Sequence, residues 1–360
     1  MSDAKTVRGP AIASRVGLLL GIAITICFVT GYLSFLIQHS HGWVPWPTRP
    51  VWLYSFTQGL HVITGVASIP LLLVKLWAVF PNLFQKPIIR SPLHAAERGS
   101  IAVLVGAMIF EVVSGILNAA QWYPWAFFFP PVHYAVAWVV VGALLIHIGV
   151  KLPEIRTALA EKEIDPARRT VLRTAWLATG IAVLVVAGQS VPVLRRVSVL
   201  APRSGNGPQD LPINRTAAAA DIGAAAQSPD YRLAVVGAGQ EKSFSRIDLQ
   251  LMAQTKATLP ISCVEGWSAS ANWEGVTVRQ LLDLVKAPQG REVRVTSLEK
   301  NGLYRATTLP ADVADDPLTV VALRLNGAVL DLDHGYPCRL IAPARPGVLQ
   351  TKWLSRIEVL

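Results

Sequence analysis

Leu259-Pro260-Ile261-Ser262-Cys263-Val264-Glu265-Gly266-Trp267-Ser268 reads as a short apolar strand that runs into one cysteine and then a tight glycine turn. The strand before Cys263 holds its backbone, and Gly266 permits the chain to reverse. Two readings of the thiol stand side by side. Free cysteine is among the most often buried residue types and is commonly inert. A thiolate fixed at a strand end is also a soft ligand for a metal.

The surrounding chain has 360 residues, of which 52% are hydrophobic and only 16% charged. Its mean hydropathy is positive, which points to a membrane protein. Charges are scarce before Lys151 and common after Arg203, so an apolar half precedes a soluble one. Apolar runs near 16–37, 53–79, 101–121, 132–150 and 174–191 each have the length that crosses about 30 Å of hydrocarbon. The expected architecture is multi-domain. A five-span, all-α transmembrane bundle covers 1–194, a linker covers 195–210, and a mixed α+β domain covers 211–360. In that domain, strands are expected at 233–236, 293–296, 318–325, 339–342 and 356–360, one helix at 278–285, and a short helix within 217–226.

The formal charge of +10 does not describe a nucleic-acid protein, because Lys and Arg gather at the ends of apolar spans and form no basic stripe interleaved with aromatics. Lys86, Arg90, Arg98, Lys151, Arg156, Lys162, Arg168 and Arg169 fall on the side of the basic N-terminus, and the opposite side carries little but Arg49. The positive-inside rule then makes the N-terminus cytoplasmic, and five crossings place the Cys263 domain outside the cell membrane. The first span, preceded by Lys5, Arg8 and Arg15, is too long for a signal-peptide core and is expected to remain as an anchor. Trp43, Trp46, Trp52, Trp122 and Trp125 read as an interfacial belt. Cys27, Cys263 and Cys338 form no C-x-x-C pair, which argues against zinc; a Cys263–Cys338 disulfide is the alternative for the soluble pair.

Ionisable residues within spans are costly and default to functional candidates. His61 lies in the second span, and His133 and His147 lie 14 residues apart on the fourth, on one face and about 21 Å from each other. His94 opens the third span, His39 and His41 close the first, and Glu111 lies inside the third, placed to pair with a histidine or carry protons. This arrangement is similar to the four-helix b-type cytochrome subunits of membrane dehydrogenases, which implies one or two haem b groups. The resemblance departs at the inner end of the first span, which has no histidine. The outer haem is therefore expected on His61 and His133, and an inner one on His147 with His94 or another partner.

The cysteine segment Cys263-Val264-Glu265-Gly266-Trp267-Ser268 resembles that of the sulfite oxidase family of molybdopterin enzymes, in which the thiolate ligates molybdenum. Leu211-Pro212-Ile213-Asn214-Arg215-Thr216, Leu325-Asn326-Gly327, the run from Asp333 to Leu340 and Gln350-Thr351-Lys352-Trp353 resemble further segments of that family in the same order. The resemblance covers about 211–360. It implies that Cys263 is the molybdenum ligand and that Asn214, Ser297, His334, Arg339, Gln350, Thr351 and Lys352 hold the pterin and its phosphate. Arg305 and Arg345 read either as contacts for an anionic substrate or as solvated surface charge.

Arg168-Arg169, immediately before the fifth span, resembles a twin-arginine export signal inside the chain; ordinary flanking charge is the alternative. Together these features predict a membrane-bound molybdenum oxidoreductase with its own cytochrome b. It passes electrons between a quinone or other membrane partner and a small extracytoplasmic substrate, a sulfoxide or sulfite. The other class of reading is an anchored, non-catalytic module that has lost its metal, against which the intact Cys263 argues.

Overall fold

The computed structural model describes residues 7–39, 44–83, 85–87, 89–161, 165–201 and 207–360. His41, Trp43, Lys162 and the middle of the expected linker lie outside the described residues. The chain divides into two compact units, Met1–Leu33 with Leu60–Pro202 and Ser34–Gly59 with Arg203–Leu360.

Five helices are each long and apolar enough to cross a membrane, α1 (Pro10–His39), α2 (Leu53–Leu83), α3 (Pro92–Ala119), α4 (Phe129–Ala160) and α5 (Pro166–Ala187), and they make up the first unit except for the end of α1 and the start of α2, which fall in the second. Their starts are legible locally. Proline occupies the first turn of α3, α4 and α5, where its missing N–H costs nothing. Ser91 caps α3 by accepting from the amide of His94, and Asp165 caps α5 by accepting from that of Ala167. Ile12, Val16, Leu20, Leu71, Met108 and Val140 form a shared core, while Leu18, Leu73, Leu145 and Leu177 face outward. Helices apolar all round suit hydrocarbon on the outside and packing within.

The second unit contains two five-stranded sheets. The strands are β1 (Leu233–Gly237), β2 (Gln240–Phe244), β3 (Thr255–Ser262), β4 (Ser268–Thr277), β5 (Val293–Ser297), β6 (Ala306–Leu309), β7 (Val320–Leu325), β8 (Ala328–Val329), β9 (Arg339–Ile341) and β10 (Leu354–Val359). One sheet has the order β2-β1-β10-β5-β6, with β1 and β10 parallel. The other runs β3-β4-β7-β8, with β9 also paired to β7. Helices α6 (Arg246–Leu251) and α7 (Val278–Leu284) pack on this framework. Inward residues of both sheets, including Leu233, Val235, Val295, Leu323 and Ile357, make its core together with Leu281 of α7. The expected strands and helix all occur, while β2, β4, β6 and β8 are not foreseen. Pro260 is tolerated because β3 is an edge strand of its sheet. At Gly275 a Cβ would lie 2.0 Å from the Val321 carbonyl, so only glycine admits the close approach of β4 to β7.

Candidate functional site

β3 and β4 pair down to Ser262 opposite Ser268, leaving 263–267 as the hairpin turn. Cys263 donates its N–H to the Trp267 carbonyl at 2.9 Å, and Gly266 donates to the Cys263 carbonyl at 3.0 Å. Gly266 has φ of 88°, the left-handed conformation expected of a glycine there. The Cys263 side chain is buried, and burial, reinforced by the Glu265 carboxylate, pushes its thiol well above the usual range. It lines one pocket with Leu211, Pro212, Asn214, Ile261, Trp267, His334, Arg339, Gly347 and Lys352. Cys338 is also a free thiol, in the other core cluster, 3.1 Å from the Tyr231 hydroxyl. The structure therefore does not form the disulfide alternative.

The pocket is lined by an arginine and a lysine. Arg339 is 1% exposed; it donates from Nη1 to the His334 carbonyl at 3.0 Å and from Nη2 to the Gln350 carbonyl at 3.2 Å. Its buried Nε has no partner. Burial lowers the Arg339 pKa to about 9. Lys352 Nζ donates to the carbonyls of Arg215 and Asp333 at 2.9 and 2.8 Å, and burial, with the neighbouring Arg339 cation, lowers its pKa to about 7. Among the described residues neither cation forms a salt bridge. His334 donates from Nε2 to the Pro208 carbonyl at 2.7 Å; burial and Arg339 hold its pKa near about 4, so the imidazole is neutral. Buried cations without a counter-charge are unfavourable unless an anion completes them.

These features fit a phosphate-bearing pterin whose metal is taken by Cys263. Among the described residues no three His, Cys, Asp or Glu side chains converge on a metal position, so a metal on Cys263 needs its other ligands from a cofactor. Asn214 lines the pocket, with Oδ1 accepting from the Arg215 amide at 2.9 Å. Ser297, Gln350 and Thr351 face elsewhere. Ser297 donates to the Lys352 carbonyl at 2.8 Å, Gln350 donates to the Arg345 carbonyl at 3.1 Å and accepts from the Ala342 amide at 3.3 Å, and Thr351 pairs with Thr307 at 3.0 Å. Their side chains brace the backbone that carries Arg339 and Lys352. Arg345 is buried and donates to the carbonyls of Leu349 and Thr308, at 3.3 and 2.6 Å, so the surface-charge reading does not hold for it; Arg305 is exposed. Trp267 and Gly347 are not foreseen as pocket walls, although Trp267 lies within the Cys263–Ser268 segment and Gly347 three residues before Gln350.

In the first unit His61 and His133 face each other with ring centroids 6.4 Å apart and planes at 70°. His61 Nδ1 lies 2.9 Å from the Cys27 carbonyl, which assigns the proton to Nδ1 and leaves the Nε2 lone pair for a metal. His133 places Nδ1 2.8 Å from Ser114 Oγ and Nε2 3.0 Å from a Glu111 oxygen, so Glu111 does pair with a histidine. Both His133 nitrogens thus have partners, so a metal taken by His133 would have to displace Glu111 from Nε2 or Ser114 from Nδ1. His94 turns instead to its own loop, with Nδ1 accepting from the Arg90 amide at 3.2 Å. Among the described residues it makes no ring contact with half-buried His147. His39 lies at the surface, 2.9 Å from the Phe35 carbonyl.

Residues 220–360 match the family described as oxidoreductase molybdopterin binding domain. That stretch contains Cys263, His334, Arg339 and Lys352 from the pocket. The chain is 29% identical over 164 residues to the mitochondrial sulfite oxidase of Rattus norvegicus, covering 36% of this chain and 29% of the relative. It is 31% identical over 113 residues to the sulfite oxidase of Arabidopsis thaliana, covering 26% and 29%. It is also 29% identical over 133 residues to the protein-methionine-sulfoxide reductase catalytic subunit MsrP of Gluconobacter oxydans, covering 32% and 43%. The chain thus spans less than half the length of each of these relatives, all of them oxidoreductases by name.

Proposed function

We propose that this protein is a membrane-anchored molybdopterin oxidoreductase that exchanges electrons between a quinone or another membrane partner and a small extracytoplasmic substrate. One observation carries the reading: the Cys263 thiol shares a pocket with buried Arg339, whose Nε has no partner, and with half-buried Lys352. Cys263 is the protein ligand of molybdenum. Arg339 and Lys352 receive the pterin phosphate, Asn214 and neutral His334 meet the pterin edge, and Ser297, Gln350 and Thr351 act on the backbone behind them. The molybdenum cofactor supplies two-electron redox chemistry at Cys263. Trp267, Leu211 and Ile261 keep bulk water from the thiol side of the pocket. The named activities of the relatives make sulfite and sulfoxides the first substrates to test.

In the membrane part, His61 and His133 hold one haem b, which carries electrons singly. Ser114 and the Cys27 carbonyl orient the two rings. An inner haem on His147 has no observation in its favour. The N-terminus is assigned to the cytoplasm, the bundle to 1–194, the linker to 195–210 and the catalytic domain to 211–360, outside the plasma membrane. The deciding experiment is elemental analysis and a redox titration of the purified full chain from cells able to make the cofactor. About one molybdenum and one b-type haem per chain are expected; a preparation with haem but no molybdenum would sink the catalytic reading.

A further inference from the structure

The segment between α1 and α2 belongs to the compact unit that holds the Cys263 pocket. Four contacts tie it there. Trp46 Nε1 donates to the Ala344 carbonyl at 2.8 Å. Arg49 donates twice to the Asp316 carboxylate, at 2.9 and 3.0 Å. Val51 packs on the core cluster that includes Cys263 and Trp267. Ser55, in the first turn of α2, shares a 2.8 Å hydrogen bond with Ser262.

Ser262 is the residue before Cys263 and is 1% exposed. Its hydroxyl also accepts from Ser268 Oγ at 2.8 Å, so Ser55, Ser262 and Ser268 form a hydroxyl chain across the base of the cysteine turn. The backbone of Ser262 bridges to Pro346, and a Cβ on Gly347 would come within 2.8 Å of the Ser262 carbonyl. Gly347 is itself a pocket wall, and Ala344, which Trp46 holds, lies on the same loop. The membrane segment therefore grips both the strand end that presents the thiol and the loop facing it.

We propose that Ser55 is a positioning residue for Cys263, acting through Ser262, so that a turn of the second membrane helix sets where the thiolate meets the metal. This rests on the molybdenum reading above. Buried hydroxyls such as that of Ser262 are held by their hydrogen-bond partners, and loss of a group that orients a metal ligand typically costs about 10–100-fold in metal affinity or activity. Neither the Cys263 segment nor the matched stretch 220–360 contains Ser55, so the contact lies outside the residues that carry the family match, although within the same compact unit.

The test compares the full-length wild type with Ser55→Ala and Ser55→Thr. In holoenzyme partly reduced with dithionite, Ser55→Ala should shift the Mo(V) electron paramagnetic resonance signal and lower turnover of sulfite or methionine sulfoxide about tenfold. Ser55→Thr, which keeps a hydroxyl, should restore both. In protein made without cofactor, alkylation of Cys263 by iodoacetamide, followed by peptide mass spectrometry, should be several-fold faster in Ser55→Ala, with haem content unchanged. Equal molybdenum content with an unshifted signal and equal alkylation rates would overturn the proposal. A wild type that contains no molybdenum defeats the functional reading instead, and the alkylation rates then still decide whether Ser55 holds Cys263.

Discussion

The guanidinium of Arg339 lies 5.2 Å over the ring of Trp273, within a wall where its two Nη groups tie down the carbonyls of His334 and Gln350. One residue thereby links β4, the turn before β9 and the loop after it, while its buried Nε has no partner and its side chain lines the Cys263 pocket. A planar fork is required for that geometry, and an ammonium lacks it.

Replacing Arg339 by Met should strip the cofactor and leave two buried carbonyls unpaired. The expected destabilisation is about 1–3 kcal/mol, the cost of an unmet buried hydrogen bond. Arg339→Lys should recover little of it. Thermal melts of the cofactor-free protein and pterin content after purification read the two effects separately, and an unchanged melt would show that the carbonyls find other partners.

Cys263→Ser should lose molybdenum and turnover while keeping the haem spectrum. The hydroxyl is a harder and less acidic ligand than the thiol, so the metal loses its only protein bond. Cys338→Ser should keep both metals, since Cys338 meets only Tyr231 and core side chains. Molybdenum loss in the Cys338 variant instead would reverse the assignment.

Lys352 sets a pH dependence. Burial and Arg339 lower its folded pKa to about 7, whereas the unfolded chain keeps a lysine near about 10.4. Between these values the unfolded state binds more protons, so stability rises with pH through that window; below about pH 7 the charged form carries its full burial penalty. Melts of cofactor-free wild type against Lys352→Met across the window should therefore differ progressively, and parallel curves would contradict the shift. Bound phosphate should flatten the difference.

His61→Ala should remove the b-type absorbance band, and His133→Ala should do the same, because the two rings face one another. His147→Ala should leave the band in place. Persistence of full haem in both of the first two variants would rule out the pairing.

Exchanging Arg168 and Arg169 for lysine keeps the charge before α5 and removes any specific arginine recognition. An export signal predicts that the C-terminal domain then stays protected from external protease while the haem is still assembled. Normal accessibility and activity would leave the pair as flanking charge, with Arg168 engaging Glu161 at 3.5 Å as the structure has it.

Local properties were readable without the fold. Each of the five long helices is a continuous apolar run with the length and composition to cross hydrocarbon, so their existence follows from the sequence alone. The turn at Cys263 is equally local, because Gly266 adjoins it and a strand leads in. β4 was not legible: Ser268-Ala269-Ser270-Ala271-Asn272 has few β-branched residues, and it becomes a strand by pairing with both β3 and β7.

Tertiary structure alone decided which polar groups meet. Gln350 and Thr351 sit beside Lys352 in sequence, yet their side chains serve buried backbone and a neighbouring threonine, while Lys352 faces the pocket. Trp46 reads as an interfacial anchor but donates to Ala344, and His61 faces His133 while His94 caps its own loop. The physical reason is common to all of these. Apolar burial is set by composition along a segment, whereas a hydrogen bond needs one partner within about 3 Å, and which partner lies there depends on residues distant in the chain.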